Sequence, residues 1–332
     1  MTQTRLIFDK GKKQMQLTLR NFILIFLSLF LSGSVNAQSN WHFLPSDVSA
    51  LHSKPADYRI FYGKDPLQFG DLRLPSGPGP YPVAIIIHGG CWVSSFANIQ
   101  YTSALADALR DNGIATWNIE YRREDNQGGG WPGTFEDVAN AADFLRNIAN
   151  KYSLDLNDAI VVGHSAGGHL ALWLAARHQL PLNSQLYTSN PLSLRGVVVL
   201  GGVPNLQAFR QQGEFTCGSD VVGKLLGNLP VLTERYKQAS PSELLPLGVP
   251  QILIYGAEDQ SVPVKFGRAY MQEALKKGDS VKLAVVEGAA HHEYCVPNAI
   301  TWPVVKSAVI SLLKCNSVIQ KNGIFQCAAK NK

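Results

Sequence analysis

The sequence predicts an α/β protein in which helices cover both faces of a mostly parallel central sheet. Two observations support this fold class. The 332 residues, of which 45% are hydrophobic and 17% charged, have a globular composition near the upper size of a single domain. Along the chain, short runs rich in β-branched residues alternate with longer segments of helical periodicity, which is typical of parallel sheets covered by helices.

The strands of the central sheet are predicted from six apolar runs. These runs cover residues 83–90, 115–122, 159–165, 196–202, 251–259 and 282–288. Helical patterns lie between or after them, at 99–112, 135–152, 166–178, 264–277 and 303–314. Ahead of them, residues 57–63 and 69–75 predict an antiparallel pair of strands, and the Gly- and Pro-rich segment 75–82 predicts a loop.

Residues 203–248 connect two predicted strands without one long helix. They contain the short amphipathic pieces VVGKLLGNL and TERYKQAS. Such a segment can form a small lid over the carboxyl edge of the sheet, or it can be a long connection with one or two helices. The sequence leaves both interpretations open.

The N-terminal segment has the organisation of an export signal. A basic stretch is followed by the apolar run FILIFLSLFL at 22–31 and by small residues that suit cleavage after Ala37. The apolar run is about half of the roughly 20 residues that a membrane-spanning helix needs, so cleavage is favoured over a retained anchor. We therefore expect a signal peptide at 1–37, a single domain at 38–332, and an exported protein that is periplasmic or secreted, without stable membrane association after cleavage.

Removal of this signal changes the charge of the chain. Five basic residues and one acidic residue leave with it, so the formal net charge falls from +5 to about +1. The remaining sequence shows no basic patch of the kind that binds nucleic acid. We therefore expect a small-molecule substrate and no nucleic-acid partner.

The five cysteines, at positions 91, 217, 295, 315 and 327, follow the predicted signal. An exported chain meets an oxidising compartment in which disulfides form, and the odd number leaves at least one cysteine unpaired. Cys315 and Cys327 flank a short polar stretch and are the first expected pair. Cys217 with Cys295 is a second, weaker expectation, and the alternative that all five thiols are free stays open.

The stretch VVGHSAGGHL at 161–170 predicts a nucleophilic serine. A serine on a tight turn from strand to helix projects its hydroxyl out of the sheet, and the crowded backbone there requires residues without a Cβ two positions before and after it. Gly163 and Gly167 occupy those positions around Ser165. The amides at the start of the following helix point toward the group that the serine attacks.

Partners for this serine follow other predicted strands. Acyl transfer by a serine needs a base, a carboxylate that orients the base, and amides that hold the oxyanion. The loop HGGCW at 88–92 can supply amides, and the chain order Ser, Asp, His suits this type of sheet. Asp259 is preferred over its neighbour Glu258 as the carboxylate, and one of His291 and His292 is expected to reach the serine. All these positions lie at carboxyl ends of strands, where open α/β sheets bind ligands.

No cofactor or metal is expected. His164 and His169 do not have the spacing of a helical HExxH site, and the cysteines form no cluster.

The motifs HGGCW, GHSAGGHLA, GAEDQSVP and GAAHH resemble, in this order and spacing, the α/β-hydrolase superfamily. Within it, they are similar to the esterase and lipase branch with an HGGxW oxyanion loop, which includes kynurenine formamidases and bacterial feruloyl and acetyl-xylan esterase-like proteins. The resemblance covers about residues 57–314. It implies the α/β-hydrolase fold, in which 203–248 stays a possible lid.

The resemblance also implies roles for individual residues. Ser165 is the expected nucleophile, Asp259 the acid and His291 the base, while the amides of Gly90, Cys91 and Ala166 form the oxyanion hole. The implied activity is hydrolysis of small carboxylic esters through an acyl-enzyme. Cleavage of an N-formyl amide by the same groups is the alternative, and a binding module that has lost catalysis is a third hypothesis.

Overall fold

The computed structural model describes residues 42–212, 216–227 and 230–313, and the backbone of two further strands, Val318–Lys321 and Ile324–Cys327. The predicted signal peptide at 1–37 and Cys315 lie outside the described residues. Cleavage after Ala37 and the domain limits 38–332 therefore stay predictions.

Eight strands form one central sheet. They are β1 (Tyr58–Phe61), β2 (Phe69–Arg73), β3 (Tyr81–Ile87), β4 (Ala115–Ile119), β5 (Leu154–His164), β6 (Val197–Leu200), β7 (Gln251–Gly256) and β8 (Val281–Val286). Their order across the sheet is β1-β2-β4-β3-β5-β6-β7-β8. β1 and β2 pair antiparallel, β2 also runs antiparallel to β4, and the strands from β4 to β8 are parallel. The predicted fold class, the six predicted central strands and the antiparallel pair are confirmed.

Ten α-helices are described around these strands. They are α1 (Pro45–Ser49), α2 (Ser103–Arg110), α3 (Gly133–Asp143), α4 (Leu145–Tyr152), α5 (Ala166–Ala176), α6 (Leu206–Gln212), α7 (Val221–Leu226), α8 (Leu232–Ala239), α9 (Val264–Lys276) and α10 (Trp302–Leu312). Single turns of 3₁₀ helix cover Ile99–Thr102, Arg177–Gln179, Pro241–Leu244 and Glu293–Cys295. Among the described residues, no helix combines the length and the apolar character needed to cross a membrane.

The helix predicted at 135–152 is divided into two helices. α3 ends at Asp143 and α4 begins at Leu145. At the junction the amide of Asn147 donates to the carbonyl of Phe144 at 2.8 Å, a bond across three residues that interrupts the α-helical ladder. Helical periodicity continues through such a break, so the pattern in the sequence does not reveal it.

Side chains on both faces of the sheet are buried, as the parallel strands predict. Along β3, Val83, Ile85 and Ile87 belong to one apolar cluster, while Ala84 and Ile86 belong to the cluster on the opposite face. Because successive side chains of a strand point to opposite faces, the strands β3, β5, β6, β7 and β8 contribute to both clusters, whereas β4 contributes apolar side chains to the first cluster only. The rigid double-sided core fixes the positions at which the loops leave the carboxyl ends of the strands.

The described part of the segment 203–248 contains three short helices, α6, α7 and α8, and the 3₁₀ turn Pro241–Leu244. Its end packs against α5, where the indole N–H of Trp173 donates to the carbonyl of Gln238 at 2.9 Å. The segment therefore lies next to the helix that begins at Ser165.

Candidate active site

Ser165 lies at the turn between β5 and α5, with φ 54° and ψ −119°. A Cβ added at Gly163 would lie 2.1 Å from the carbonyl oxygen of Gly167, and one added at Gly167 would lie 2.2 Å from that of Ile87. Both distances are shorter than any real Cβ contact, so only glycine fits at either position. The close approach of the first turn of α5 to the end of β5 and to the end of β3 thus accounts for the two glycines around the serine.

A chain of hydrogen bonds joins the three expected triad residues. His291 Nε2 lies 2.9 Å from Ser165 Oγ, and His291 Nδ1 lies 2.8 Å from Asp259 Oδ2. All three residues are at most 7% exposed. Burial of this kind strengthens each electrostatic interaction, because water does not screen it.

Asp259 is held in place by several donors. Its Oδ1 accepts the amides of Ser261 at 2.9 Å and Val262 at 2.8 Å, and its Oδ2 accepts the hydroxyl of Tyr294 at 3.0 Å. Hydrogen bonds to both oxygens fix the direction of the carboxylate. Tyr294 was not found from the sequence, although it lies three residues after His291.

The neighbouring residues that the sequence left as alternatives have other partners. Glu258 Oε2 lies 2.9 Å from Nε2 of His42, and its side chain is 39% exposed. Nδ1 of His292 lies 2.8 Å from the hydroxyl of Tyr101. Burial, followed by the nearby His291, lowers the pKa of His292 to about 4. His292 is thus a neutral part of the cavity wall and does not contact Ser165.

His164, next to the serine, supports the loop that carries the base. Its Nε2 lies 2.8 Å from the carbonyl oxygen of His291, and its ring stacks on Tyr101 with 5.1 Å between ring centroids. Burial lowers its pKa well below the usual value, so the ring is neutral at physiological pH. Within the described residues, no group of three His, Cys, Asp or Glu side chains is arranged to hold a metal ion.

The loop after β3 has an unusual backbone. Gly90, Cys91 and Trp92 follow one another with φ values of 103°, 54° and 57°. Such a run of left-handed residues turns successive amides toward one concave space that suits an anion. Within the described part of the chain, the amides of Gly90, Cys91 and Ala166 donate to no backbone or side-chain acceptor. Ala166 is the first residue of α5, so its amide has no partner within the helix.

A buried cluster of charged side chains holds this loop in place. The Glu120 carboxylate lies 3.0 Å from Nε2 of His88, accepts the amide of Ile99 at 3.0 Å and pairs with Arg123. Burial raises the pKa of Glu120, but His88 and Arg123 outweigh it and lower the pKa to about 2. The charged Glu120 therefore holds both ends of the loop between β3 and the 3₁₀ turn. Sequence reasoning missed it, and its signal was a charged residue directly after the buried strand β4.

A cavity of about 270 Å³ opens over Ser165 and His291. Gly90 and Cys91 also line it, so the expected nucleophile, base and oxyanion donors face one space. The rest of its wall is partly apolar, with contributions from Pro45, Phe96, Ala97 and Val262.

Cys91 and Cys217 form a disulfide with 5.5 Å between their Cα atoms. Cys217 and Thr216 are the residues of the segment 203–248 that line the cavity, among those the structure describes. The segment therefore reaches the cavity where it is covalently attached to the oxyanion loop.

The expected pairing of Cys217 with Cys295 is wrong. Cys295 is a free thiol, fully buried in the apolar cluster beside α10, while Cys217 lies at the cavity. Burial raises the pKa of the Cys295 thiol, which is therefore inert. The pairing of Cys315 with Cys327 stays a prediction, because Cys315 lies outside the described residues.

Comparison with known proteins finds relatives named as esterases. The esterase LipC of Mycobacterium tuberculosis is 28% identical over 264 residues, which are 76% of this chain. The chain spans 64% of the length of that relative, less than two thirds.

Solved structures of esterases share the fold. A truncated carbohydrate esterase from gut microbiota has a TM-score of 0.64 at 19% identity, covering 81% of this chain and 99% of its own. An acetyl ester-xyloside bifunctional hydrolase from Caldicellulosiruptor lactoaceticus has a TM-score of 0.60 at 20% identity, covering 78% of this chain and 97% of its own. The predicted α/β-hydrolase fold is thereby confirmed.

The sequence model of one family, BD-FAE, matches residues 71–274, more than half of the chain and a span that includes Ser165 and Asp259. The protein belongs to the BD-FAE family.

Proposed function

We propose that the protein is a serine hydrolase that cleaves small carboxylic esters through an acyl-enzyme. The observation that carries this proposal is the continuous hydrogen-bond chain from Asp259 through His291 to Ser165, which ends at a cavity beside free backbone amides. These are the groups that acyl transfer by serine requires, each within reach of the next.

The first half of the reaction forms the acyl-enzyme. Ser165 Oγ attacks the ester carbonyl carbon while His291 Nε2 takes the hydroxyl proton. Asp259 stabilises the imidazolium by accepting the N–H of Nδ1. The negative charge on the former carbonyl oxygen is held by the amides of Gly90, Cys91 and Ala166, and each such donor is worth about 3–4 kcal/mol in the transition state.

The second half releases both products. The tetrahedral intermediate collapses, and the alcohol leaves with the proton from His291 Nε2. Water then attacks the acyl–Ser165 ester with His291 as the base, and collapse of the second intermediate frees the acid and restores the serine hydroxyl.

The size of the cavity favours short acyl groups. Its volume, about 270 Å³, lies below the roughly 300–1,000 Å³ of sites that enclose drug-sized ligands. The structures with the same fold include one protein named as a carbohydrate esterase and one named as an acetyl ester-xyloside bifunctional hydrolase. Acetyl groups on carbohydrate hydroxyls are therefore the substrate class that we propose first.

A comparison of two substrate classes tests this function. The purified protein is assayed with p-nitrophenyl acetate and with N-formylkynurenine, each with the wild type and Ser165→Ala. Ester turnover that is faster than amide turnover and is lost in Ser165→Ala supports the proposal. Ser311→Ala is the matched control, because its hydroxyl on α10 only bonds the carbonyl of Ala308.

Two other outcomes contradict the proposal. A higher kcat/KM for N-formylkynurenine would identify an arylformamidase instead. Absence of turnover on both substrates would favour a binding module. A label from a fluorophosphonate that maps to a residue other than Ser165 would also refute the assignment of the nucleophile.

We also propose that the protein is exported to the periplasm or secreted. The signal-like composition of residues 1–37 supports this location. The disulfide between Cys91 and Cys217 adds support, since such bonds persist in oxidising compartments. Cell fractionation of the natural host, with N-terminal sequencing of the recovered protein, tests both the location and cleavage after Ala37.

A further inference from the structure

A second cavity, of about 320 Å³, lies beside the edge strand β1 and its neighbour β2. We call it the Arg73 cavity. Arg59 of β1 and Asp71 and Arg73 of β2 line it, together with Lys54 from the segment before β1. Its lining thus holds three basic side chains and one carboxylate. It shares no lining residue with the cavity over Ser165.

Arg73 is buried without a hydrogen-bond partner. The residue is 2% exposed, and its Nε and Nη1 atoms contact no acceptor among the described residues. Burial lowers the pKa of this guanidinium, which shows that its neighbours do not offset the loss of water. An unpaired buried charge costs several kcal/mol, and buried polar groups in native proteins almost always have a partner.

The carboxylate next to Arg73 on the same strand is already engaged. Asp71 accepts two hydrogen bonds from Arg59, at 2.8 Å from Nε and 2.9 Å from Nη2. This bidentate pair uses both carboxylate oxygens in the geometry that suits a guanidinium best. Both oxygens of Asp71 are therefore engaged with Arg59, and Asp71 acts on Arg73 through its charge without a hydrogen bond.

The next carboxylate that acts on Arg73 is engaged as well. Asp107 pairs with Arg110 through one oxygen and accepts the amide of Lys54 at 3.0 Å through the other. The ammonium of Lys54 lies 3.7 Å from Asp111 and its side chain is 62% exposed, and an exposed pair of this length holds the ammonium only weakly. The third carboxylate that acts on Arg73, Asp57, accepts the amide of Leu74 at 2.7 Å through Oδ2.

A further unpartnered group lies beside Arg73. Thr116 of β4 is directly opposite Arg73 in the antiparallel pair, and its hydroxyl is buried without a partner among the described residues. Residues opposite each other in such a pair point to the same face with Cβ atoms about 5 Å apart. The guanidinium of Arg73 and the hydroxyl of Thr116, which can both donate hydrogen bonds, therefore lie next to each other.

We propose that the Arg73 cavity binds a small oxyanion, such as phosphate, sulfate or a carboxylate. The Arg73 guanidinium donates to the oxygens of the anion from inside, and Lys54 adds its charge at the entrance. A planar guanidinium matches the spacing of such oxygens with two parallel donors. The inference is independent of ester hydrolysis, because it concerns a separate cavity and is tested without substrate.

Thermal unfolding in different anions tests the site. The melting temperature of the wild type is measured with increasing phosphate, sulfate or acetate, with sodium chloride keeping the ionic strength constant. An anion that binds only the folded state raises the melting temperature in a saturable way. We expect this rise in the wild type and its loss in Arg73→Met, which replaces the unpaired charge by an apolar chain of similar length.

Two further variants complete the test: one changes a second residue of the cavity, and one is the matched control. Lys54→Gln changes an exposed side chain and is expected to weaken the apparent anion affinity about two- to fivefold. Arg146→Gln is the matched control, because it also removes one positive charge but from an arginine that pairs with Asp143 on the surface, outside the cavity. It is expected to keep the full rise.

Phosphate and sulfate also stabilise proteins by exclusion from the surface, so the decisive quantity is the difference between the wild type and Arg73→Met in the rise of the melting temperature with anion concentration. An equal rise in these two proteins at every anion concentration would overturn the proposal. A difference seen with phosphate and sulfate alone identifies a site for tetrahedral anions, and one seen with acetate as well identifies a general oxyanion site.

Discussion

Cys91 and Cys217 are joined by a disulfide that attaches the segment 203–248 to the oxyanion loop at the rim of the catalytic cavity. The amide of Cys91 is a proposed oxyanion donor, and its left-handed φ of 54° is unfavourable for a residue with a Cβ. The bond therefore restrains a backbone position that the reaction needs and also holds the cavity wall formed by Thr216 and Cys217.

Cys217→Ser is expected to lower both stability and catalysis. Opening a link between residues 126 positions apart costs about 2–4 kcal/mol of unfolding free energy. We expect kcat to fall more than KM rises, because the oxyanion donors act mainly in the transition state. Thermal unfolding and steady-state kinetics measure the two effects.

Dithiothreitol provides the matched experiment for this disulfide. It should lower the kcat of the wild type toward that of Cys217→Ser, with two thiols formed per disulfide. The kcat of Cys91→Ser/Cys217→Ser should not change. Full activity of the double variant would show that the loop holds its conformation without the bond.

His291→Ala should abolish turnover, while His292→Ala should leave most of it. Only His291 lies between Ser165 and Asp259, and loss of the base costs at least about 10³-fold in kcat. His292 instead bonds Tyr101 in the cavity wall, so its removal is expected to change KM more than kcat. Kinetics on an activated acetyl ester compare the two, and the reverse order of effects would exchange the assignment.

Asp259→Asn and Glu258→Gln form a second adjacent pair. The amide in Asp259→Asn carries no charge to stabilise the imidazolium, and its N–H can donate to Nδ1 of His291 and favour the wrong tautomer, so we expect kcat to fall about 10⁴-fold. Glu258→Gln affects only the contact with His42 and should keep kcat within about threefold. Circular dichroism confirms that both variants are folded. Similar losses of kcat in both variants would mean that the conformation of the loop that carries Glu258 and Asp259, and not the carboxylate of Asp259, limits the reaction.

The sequence revealed the parts of this site that depend on local geometry. The turn at Ser165 was predictable because the crowding of the backbone demands glycine at Gly163 and Gly167, two positions away on either side. Asp259 was already preferred over Glu258 from the residues, whereas the choice of His291 over His292 came from the resemblance to a family.

The remainder depends on contacts between distant parts of the chain. Cys91 and Cys217 are 126 residues apart, and no local pattern indicates that their loops meet. Glu120 supports the oxyanion loop through His88 and Arg123, but from the sequence it is one charged residue among several after β4. Such partners follow from the order of the strands across the sheet, which places β4 beside β3.

His169 gives a prediction for the stability of the fold in acid. Its Nε2 lies 2.9 Å from the carbonyl oxygen of Ala239, which identifies Nε2 as the protonated nitrogen, and its Nδ1 is buried without a partner among the described residues. Burial lowers its pKa to about 4, against an ordinary value of about 6.5 in the unfolded chain. Between these values the unfolded state binds more protons, so the free energy of unfolding falls as the pH is lowered.

The contribution of His169 is complete above pH 6.5 and is lost progressively down to about pH 4. Its total is about 3 kcal/mol, with a slope of at most about 1.4 kcal/mol per pH unit. In His169→Gln, whose amide can still donate to Ala239, chemical unfolding at several pH values should show a shallower loss by about this amount. His178→Gln changes an exposed histidine and should keep the wild-type slope. An unchanged acid slope in His169→Gln would mean that other groups, such as the buried His164, account for the proton uptake.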